Sequence, residues 1–472
     1  MGAKPGAAIL WLREDLRLAD NPALAAAAAY ENILCVYTLD EETPGLRAPG
    51  GAFKWRLHHA LEHLARDLAA RGARLDIFRG SAESVIPALV DASGASALYW
   101  NRRYDSASMA IDARIKTALK DRIHVESFNG KLIAEPWTIK TKTGGPFRVF
   151  TPFLRALRQS ARIAPAASAP RTLRCGPTLS QTLDLRDLDL TPSRPDWAAG
   201  LRATQICGEK NCAAQLAEFL GQDLLHYAEQ RDFPARDATS RLSAALATGE
   251  ISPQLVWRAT MQAAEANPAL QRGAEKFISE LVWREFSYHL LFHNPDLARK
   301  NFNARFDEFP WAARDEAALA AWRAGMTGYP LVDAGMRELW KTGFMHNRVR
   351  MVCASFLIKH LLIDWRVGED WFWDTLCDAD PANNAASWQW VAGSGADAAP
   401  YFRIFNPVTQ SEKFDAGGAY LRAHVPEIAH LPDKFIHAPW TAPQPPKDYP
   451  APIVDHAHAR ERALRAFREM GT

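Results

Sequence analysis

Through the first 130 residues, short apolar runs alternate with longer amphipathic ones. AAILWL (7–12), NILCVYTL (32–39), ARLDIFRG (73–80), ALYWNR (97–102) and HVESF (124–128) are rich in β-branched and aromatic side chains and have strand length. The segments between them, such as 53–71 and 106–119, are long enough for helical crossovers. That alternation predicts an α/β unit, a Rossmann-like parallel sheet, and an antiparallel α+β layout fits poorly with connections of this length. No GxGxxG follows the first strand, so a classical dinucleotide site is not supported in this half.

Between Arg162 and Asp196 the chain turns rich in proline and alanine, and Pro165, Pro170, Pro177, Pro192 and Pro195 rule out long regular elements there. From about Leu201 the β-type alternation disappears, and 213–227, 274–292 and 334–362 show helical periodicity broken by Gly and Pro. The expected organisation is an α/β domain over 1–130, a connector over 131–199 and an all-α domain over 200–472.

Length agrees with two domains, since 472 residues exceed the roughly 250–300 at which one core stops growing. A net charge of +2 excludes a strongly basic tail, so any nucleic-acid site must be a local patch of arginines. The six cysteines, Cys35, Cys175, Cys207, Cys212, Cys353 and Cys377, form no CxxC, and the closest pair lacks metal-ligand spacing. They read as reduced thiols with no metal or iron–sulfur cluster. MGAKPGAAILWL is too short and too soon charged for a signal peptide or membrane span, so a soluble cytoplasmic protein is expected.

The densest chemistry lies in DADPANNAASWQWVAGSGADAAPYFRIFNP (378–407). Asp378 and Asp380 accept, Asn383 and Asn384 donate and accept, and Trp388 and Trp390 offer broad π faces, a set suited to a planar heteroaromatic ligand. Upstream, TSRLS (239–243) carries three hydroxyls. Alone it reads as a capped helix start with a surface arginine; beside the other motifs it reads as a cradle for phosphate oxygens. No catalytic triad is found.

Taken with WLREDLRLADNPAL (11–24), ELVWREF (280–286), MHNRVRM (345–351) and FNPVTQSEKFD (405–415), these motifs resemble the photolyase and cryptochrome flavoproteins, in order and over nearly the whole chain. One departure is Glu14, where the family usually has a second basic residue. The resemblance implies FAD held by Tyr227, Thr239, Ser240, Arg241, Leu242, Ser243 and Phe277, with Asp378 and Asp380 against the ribityl chain and ring edge and Arg350 balancing Asp378. It places Asn384 opposite the flavin N5, chosen over Asn383 because it lies four residues before Trp388. A neutral amide there suits each flavin redox state better than an ionised Asp, which plant cryptochromes usually carry, so Asn384 favours a repair enzyme.

Trp388, Trp365 and Trp311 match the family's electron-transfer chain; with 16 tryptophans present, core packing is the alternative reading for each. Trp283 and Trp390 occupy the positions that clasp a flipped-out pyrimidine dimer, and Glu280 would bond a pyrimidine edge. Enzymes for the (6-4) photoproduct typically place histidines at positions 347 and 351; Asn347 and Met351 point instead to the cyclobutane dimer, and His346 reads as structural. DNA contacts are expected from Asn347 and from Arg231, Arg284, Arg348 and Arg403, with Gln410 a weaker candidate. At least one of those arginines is expected to be only a salt-bridge partner.

The function implied is light-dependent repair of cyclobutane pyrimidine dimers in UV-damaged DNA by a monomeric lyase. The alternatives are a cryptochrome-type photoreceptor, which usually has a C-terminal extension where this sequence ends in DHAHARERALRAFREM and two further residues, and a (6-4) photolyase. A second antenna chromophore, folate or deazaflavin, is left open, because Ser108 stands where folate-binding relatives often carry glutamate and the stretch around Trp55 could line another pocket.

Overall fold

A computed structural model describes residues 3–163, 165–398 and 402–470. Five strands, β1 (Lys4–Leu12), β2 (Tyr30–Leu39), β3 (Leu75–Arg79), β4 (Ala97–Asn101) and β5 (His124–Phe128), form a wholly parallel sheet in the order β3-β2-β1-β4-β5. The crossovers carry helices α1 (Pro22–Ala27), α2 (Gly51–Ala69), α3 (Ala82–Ser93) and α4 (Ser106–Leu119). Alternate residues of β1 explain the layering: Ala8, Leu10 and Leu12 join one apolar cluster with Leu57, Leu61 and Leu64 of α2, while Ile9 and Trp11 join another with Ile86 of α3 and Ile111 of α4. Both faces of the sheet are therefore covered, which is why its strands read as nearly continuous apolar runs.

The proline-rich stretch is strapped to the sheet rather than free. Ile33 of β2 donates its N–H to the Arg174 carbonyl and accepts from the Gly176 N–H, both at 2.8 Å, and the Leu183 N–H bonds the Ile77 carbonyl of β3 at 2.8 Å. Ahead of it, α5 (Phe150–Ser160) buries Phe150, Phe153 and Leu157 against the helical half.

The remainder is helical. The elements that build its cavity are α6 (Ser243–Thr248), α7 (Gln271–His293), α8 (Asn347–Ser355), α9 (Trp365–Thr375) and α10 (Asn383–Ala392). The periodic run 334–362 is not one helix: it comprises the end of the helix Pro330–Thr342, then α8, then a π-helical turn at Phe356–His360. No helix among the described residues is long and apolar enough to cross a membrane, and no group of His, Cys, Asp or Glu among them could hold a metal ion.

The two halves meet through buried polar contacts. Arg56 of α2 pairs with Glu250 at 2.6 Å, both side chains essentially inaccessible, and Glu250 also accepts the Gly208 N–H and the Thr248 hydroxyl. Arg17 donates to the Gly249 and Gly130 carbonyls. Gly249 closes α6 at φ +76°, and a Cβ there would lie 2.0 Å from the Glu14 carbonyl oxygen, so only glycine lets the backbones approach this closely. Glu14 itself pairs with Lys131 and Arg103, which hold its carboxyl at about 2 against the cost of burial.

Candidate functional site

The helical half encloses a cavity of about 630 Å³, within the roughly 300–1,000 Å³ typical of small-molecule sites. Its walls follow from helical spacing. Phe277, Glu280, Leu281 and Arg284 lie at i, i+3, i+4 and i+7 on one face of α7; Asn347, Arg350, Met351 and Ala354 repeat that spacing on α8; Asn384, Trp388 and Val391 do so on α10. Residues scattered over more than 160 positions of sequence are thereby brought to one hollow.

At one end, Tyr227, Ser240, Leu242, Ser243 and Phe277 line the cavity. Ser243 opens α6, and the Ser240 carbonyl accepts from Gln215. Thr239 and Arg241 of the same motif are not among the lining residues: Arg241, in left-handed backbone at φ +49°, pairs with Asp237 and lies over the Phe344 ring. The floor is polar. Arg350 meets Asp378 in a two-pronged ion pair at 3.1 and 2.8 Å. Asp380 spends one carboxylate oxygen on the Ala382 and Asn383 amides and the other on the Tyr288 hydroxyl, so it caps the start of α10 as well as lining the cavity.

Asn384 donates through Nδ2 to the Glu369 carbonyl at 2.9 Å and carboxylate at 2.8 Å, so its Oδ1 is the atom left for a ligand. Glu369 is buried beneath it, its carboxyl pushed up by desolvation, and is held from the other side by Arg47. Sequence patterning had no means of finding Glu369, whose partners lie 15 and 322 positions away.

Trp283 and Trp390 stand in the wall, both partly exposed, and Asn347 and Met351 line the same cavity. His346 precedes them as the cap of α8: its Nδ1 accepts the Arg348 N–H, so Nε2–H is the donor to the Arg231 carbonyl at 2.9 Å. Burial lowers its pKa to about 4, keeping it neutral, and both nitrogens are spent on the backbone.

The expected phosphate contacts divide. Arg403 is exposed beside Phe405. Arg348 pairs with Asp232 at 2.9 Å, and Arg231 pairs with Glu280 at 2.5 Å, where Lys276 joins it. Gln410 is half-buried on the helix Pro407–Phe414. Arg284 departs from the expectation of a phosphate contact. Its side chain is buried, donating to the Lys131 carbonyl and to Glu285, whose own carboxyl burial pushes up to about 7. The ELVWREF motif brings Arg284 to the cavity, but its guanidinium is turned into the protein toward the 131–133 segment rather than into solvent.

Of the three tryptophans expected to relay electrons, only Trp388 lines the cavity. It packs on α9 so tightly that a Cβ at Gly368 would lie 2.1 Å from its ring. Trp365, fully buried, opens the same helix and donates Nε1–H to Asn301. Trp311 is half-buried, and the amide after it bonds the Leu362 carbonyl just upstream of Trp365. Trp388 also has Phe372 at 4.9 Å and Trp322 at 6.3 Å. Outside this cavity, the Trp55 and His59 rings meet at a tilt of 58° with centroids 4.3 Å apart in an open groove, and Ser108 is buried at the start of α4.

A parallel-sheet unit joined to a helical body around a deep aromatic and polar cavity defines a two-domain cofactor-binding architecture. Residues 277–469 match the family described as the FAD binding domain of DNA photolyase, and residues 8–171 match the family described as DNA photolyase. The deoxyribodipyrimidine photo-lyase of Agrobacterium fabrum is 49% identical over 99% of this chain and 98% of its own length. Cryptochrome-2 of Arabidopsis thaliana is 35% identical over 97% of this chain and 78% of its own. The crystal structure of a bacterial class III photolyase from Agrobacterium tumefaciens superimposes with a TM-score of 0.95 at 49% identity, covering 100% of this chain and 99% of that one. The chain belongs to the photolyase/cryptochrome family.

Proposed function

We propose that this protein is a deoxyribodipyrimidine photo-lyase, a lyase that uses blue light to repair cyclobutane pyrimidine dimers in DNA. The observation that carries the reading is that Trp283 and Trp390 line one cavity together with Asn347 and Met351, neither of them a histidine. Flat apolar faces suit a flipped-out dimer of two adjacent pyrimidines, and the chemistry needs no proton donor at 347 or 351.

The cavity fits FAD. The Ser240 and Ser243 hydroxyls, the Arg350 guanidinium and the acceptor Oδ1 of Asn384 line one hollow, and Arg284, which also lines it, keeps a buried Nη2 without a partner. The chemistry FAD supplies when bound is a light-energised electron, lent to the dimer and recovered after the ring opens. The chain does the rest. Arg350 and Asp378 hold each other in place and orient the polar chain of the ligand, and Tyr227 and Phe277 pack its apolar surface. Asn384, fixed by Glu369, presents a neutral oxygen. Glu280, ion-paired with Arg231, fixes a pyrimidine edge. Trp311, Trp365 and Trp388 form the path by which an electron enters from the surface. Arg231, Arg348 and Arg403 draw the phosphate backbone to the mouth, with affinity that falls as salt rises.

In this reading residues 1–130 and 200–472 act as two domains joined by 131–199, and the protein works as a cytoplasmic monomer. A second chromophore would enter the hollow of about 390 Å³ that Glu14, Arg103, Asp105, Arg299 and Trp373 line between the halves. The test is restoration of thymine from an oligonucleotide carrying one cyclobutane dimer, using chemically reduced, FAD-loaded protein under blue light and in darkness. Restoration in the light alone supports repair. Bound FAD with no restoration of this lesion contradicts it and favours a photoreceptor or the other photoproduct.

A further inference from the structure

We propose that Asp397 is a positioning residue that braces both aromatic walls of the lesion site; this rests on the repair reading above. Three observations converge on it. Helix α5 begins at Phe150 with Val149 as its cap residue, and valine has no acceptor for the free amides of a first turn. The carboxylate of Asp397, 247 positions away, takes that role, with Oδ2 accepting the Phe150 N–H at 3.1 Å. An anion at this end also meets the positive pole of the helix.

Phe150 in turn lies flat against Trp283, with ring centroids 3.7 Å apart and planes 5° from parallel. One face of Trp283 is therefore occupied by Phe150, and the other is what remains for a base. Phe286, fully buried, meets both rings edge-on at 6.0 and 5.9 Å and packs the stacked pair in place.

The same Asp397 holds the second aromatic wall residue, Trp390, through its backbone. Trp390 donates Nε1–H to the Asp397 carbonyl oxygen at 3.1 Å. One residue thus connects Trp283, through α5 and Phe150, to Trp390. Its conformation serves the double contact: φ is +54°, a region most side chains avoid and aspartate tolerates. A two-walled clasp works only if the gap between its walls is set before the dimer arrives, because the cost of setting it would otherwise be taken from binding.

The test uses full-length, FAD-loaded protein and dark binding to two oligonucleotides, one with a single cyclobutane thymine dimer and one undamaged. Asp397→Gly removes the carboxylate without adding strain at positive φ, and Asp397→Asn restores an acceptor for the Phe150 amide. The expected result is that Asp397→Gly weakens dimer binding about tenfold and leaves undamaged-DNA affinity and FAD content unchanged, with Asp397→Asn recovering to within about threefold of wild type. Equal weakening toward both oligonucleotides, or none, would overturn the brace. A wild-type protein that did not prefer the damaged strand would overturn the repair reading instead. Amide exchange in the ligand-free protein then judges the contact separately: faster exchange over the first turn of α5 in Asp397→Gly is expected, and unchanged exchange there would show that the contact does not hold the helix.

Discussion

Two arginine–carboxylate pairs, Arg56–Glu250 at the junction of the halves and Arg350–Asp378 in the cavity, have the same chemistry and opposite settings. At the junction both partners are sealed, and the Glu250 oxygens are used up by Arg56, Gly208 and Thr248. In the cavity the Arg350 side chain remains a quarter exposed and faces a hollow of ligand size. The first arrangement can only hold the fold together. The second still has contacts to give. The distinction between a structural and a functional ion pair therefore lies in the unused capacity of the groups and in what they face, and residue type does not reveal it.

That contrast can be broken in four ways. Glu250→Ala should cost the most, about 3–5 kcal/mol, because it leaves Arg56 buried without a counter-charge. A large drop in the denaturant midpoint, with unchanged FAD bound per folded molecule, is the expected outcome; a mild drop would mean that water reaches the junction. His346 comes next. The unfolded chain takes up its proton near 6.5 and the folded chain only near 4, so between those values the unfolded state holds more protons and stability falls as pH falls. Wild type should lose about 2 kcal/mol more between pH 7 and pH 5 than His346→Asn, which keeps a cap but cannot titrate. Equal pH slopes in urea melts would contradict this.

Asp378→Asn should behave in the reverse way to Glu250→Ala: little change in the stability of the FAD-free protein, and FAD affinity lowered about tenfold, read by flavin fluorescence on titration. Loss of apoprotein stability without loss of affinity would place this pair with the junction. The smallest effect is expected of Arg403→Ala, a two- to threefold loss of DNA affinity with the salt slope reduced by about 1 and no preference between sequences. An unchanged slope would remove Arg403 from the DNA contact.

Much of this was legible in the sequence, for identifiable reasons. The five strands fall where the apolar runs lie, since a sheet covered on both faces needs apolar side chains at nearly every strand position. The cavity residues were legible through the family resemblance of their motifs, and the structure supplies the physical reason: i, i+3 and i+7 spacing puts Phe277, Glu280 and Arg284 on one face of α7. What was not legible depends on contacts that leave no local pattern. The strap at Arg174 and Gly176 is made by backbone atoms and looks in sequence like a loose proline-rich tether. The inward turn of Arg284 was decided by Glu285 and by the Lys131 carbonyl more than 150 positions upstream. Glu369 is held by Arg47, 322 positions away, and Asp397 bonds Phe150, 247 positions away, and the break of 334–362 into separate elements follows from the His346 cap and the π-turn, neither of which disturbs the apolar periodicity.

Light-driven dimer reversal by wild type and Trp283→Ala, each reduced and loaded with equal FAD, is the most direct test of the cavity as the working site. Wild type should restore thymine in the light alone, and Trp283→Ala should keep its flavin and lose up to about a hundredfold in dimer affinity, the value of one stacked base. Restoration by Trp283→Ala at the wild-type rate and affinity, or by either protein in darkness, would contradict it.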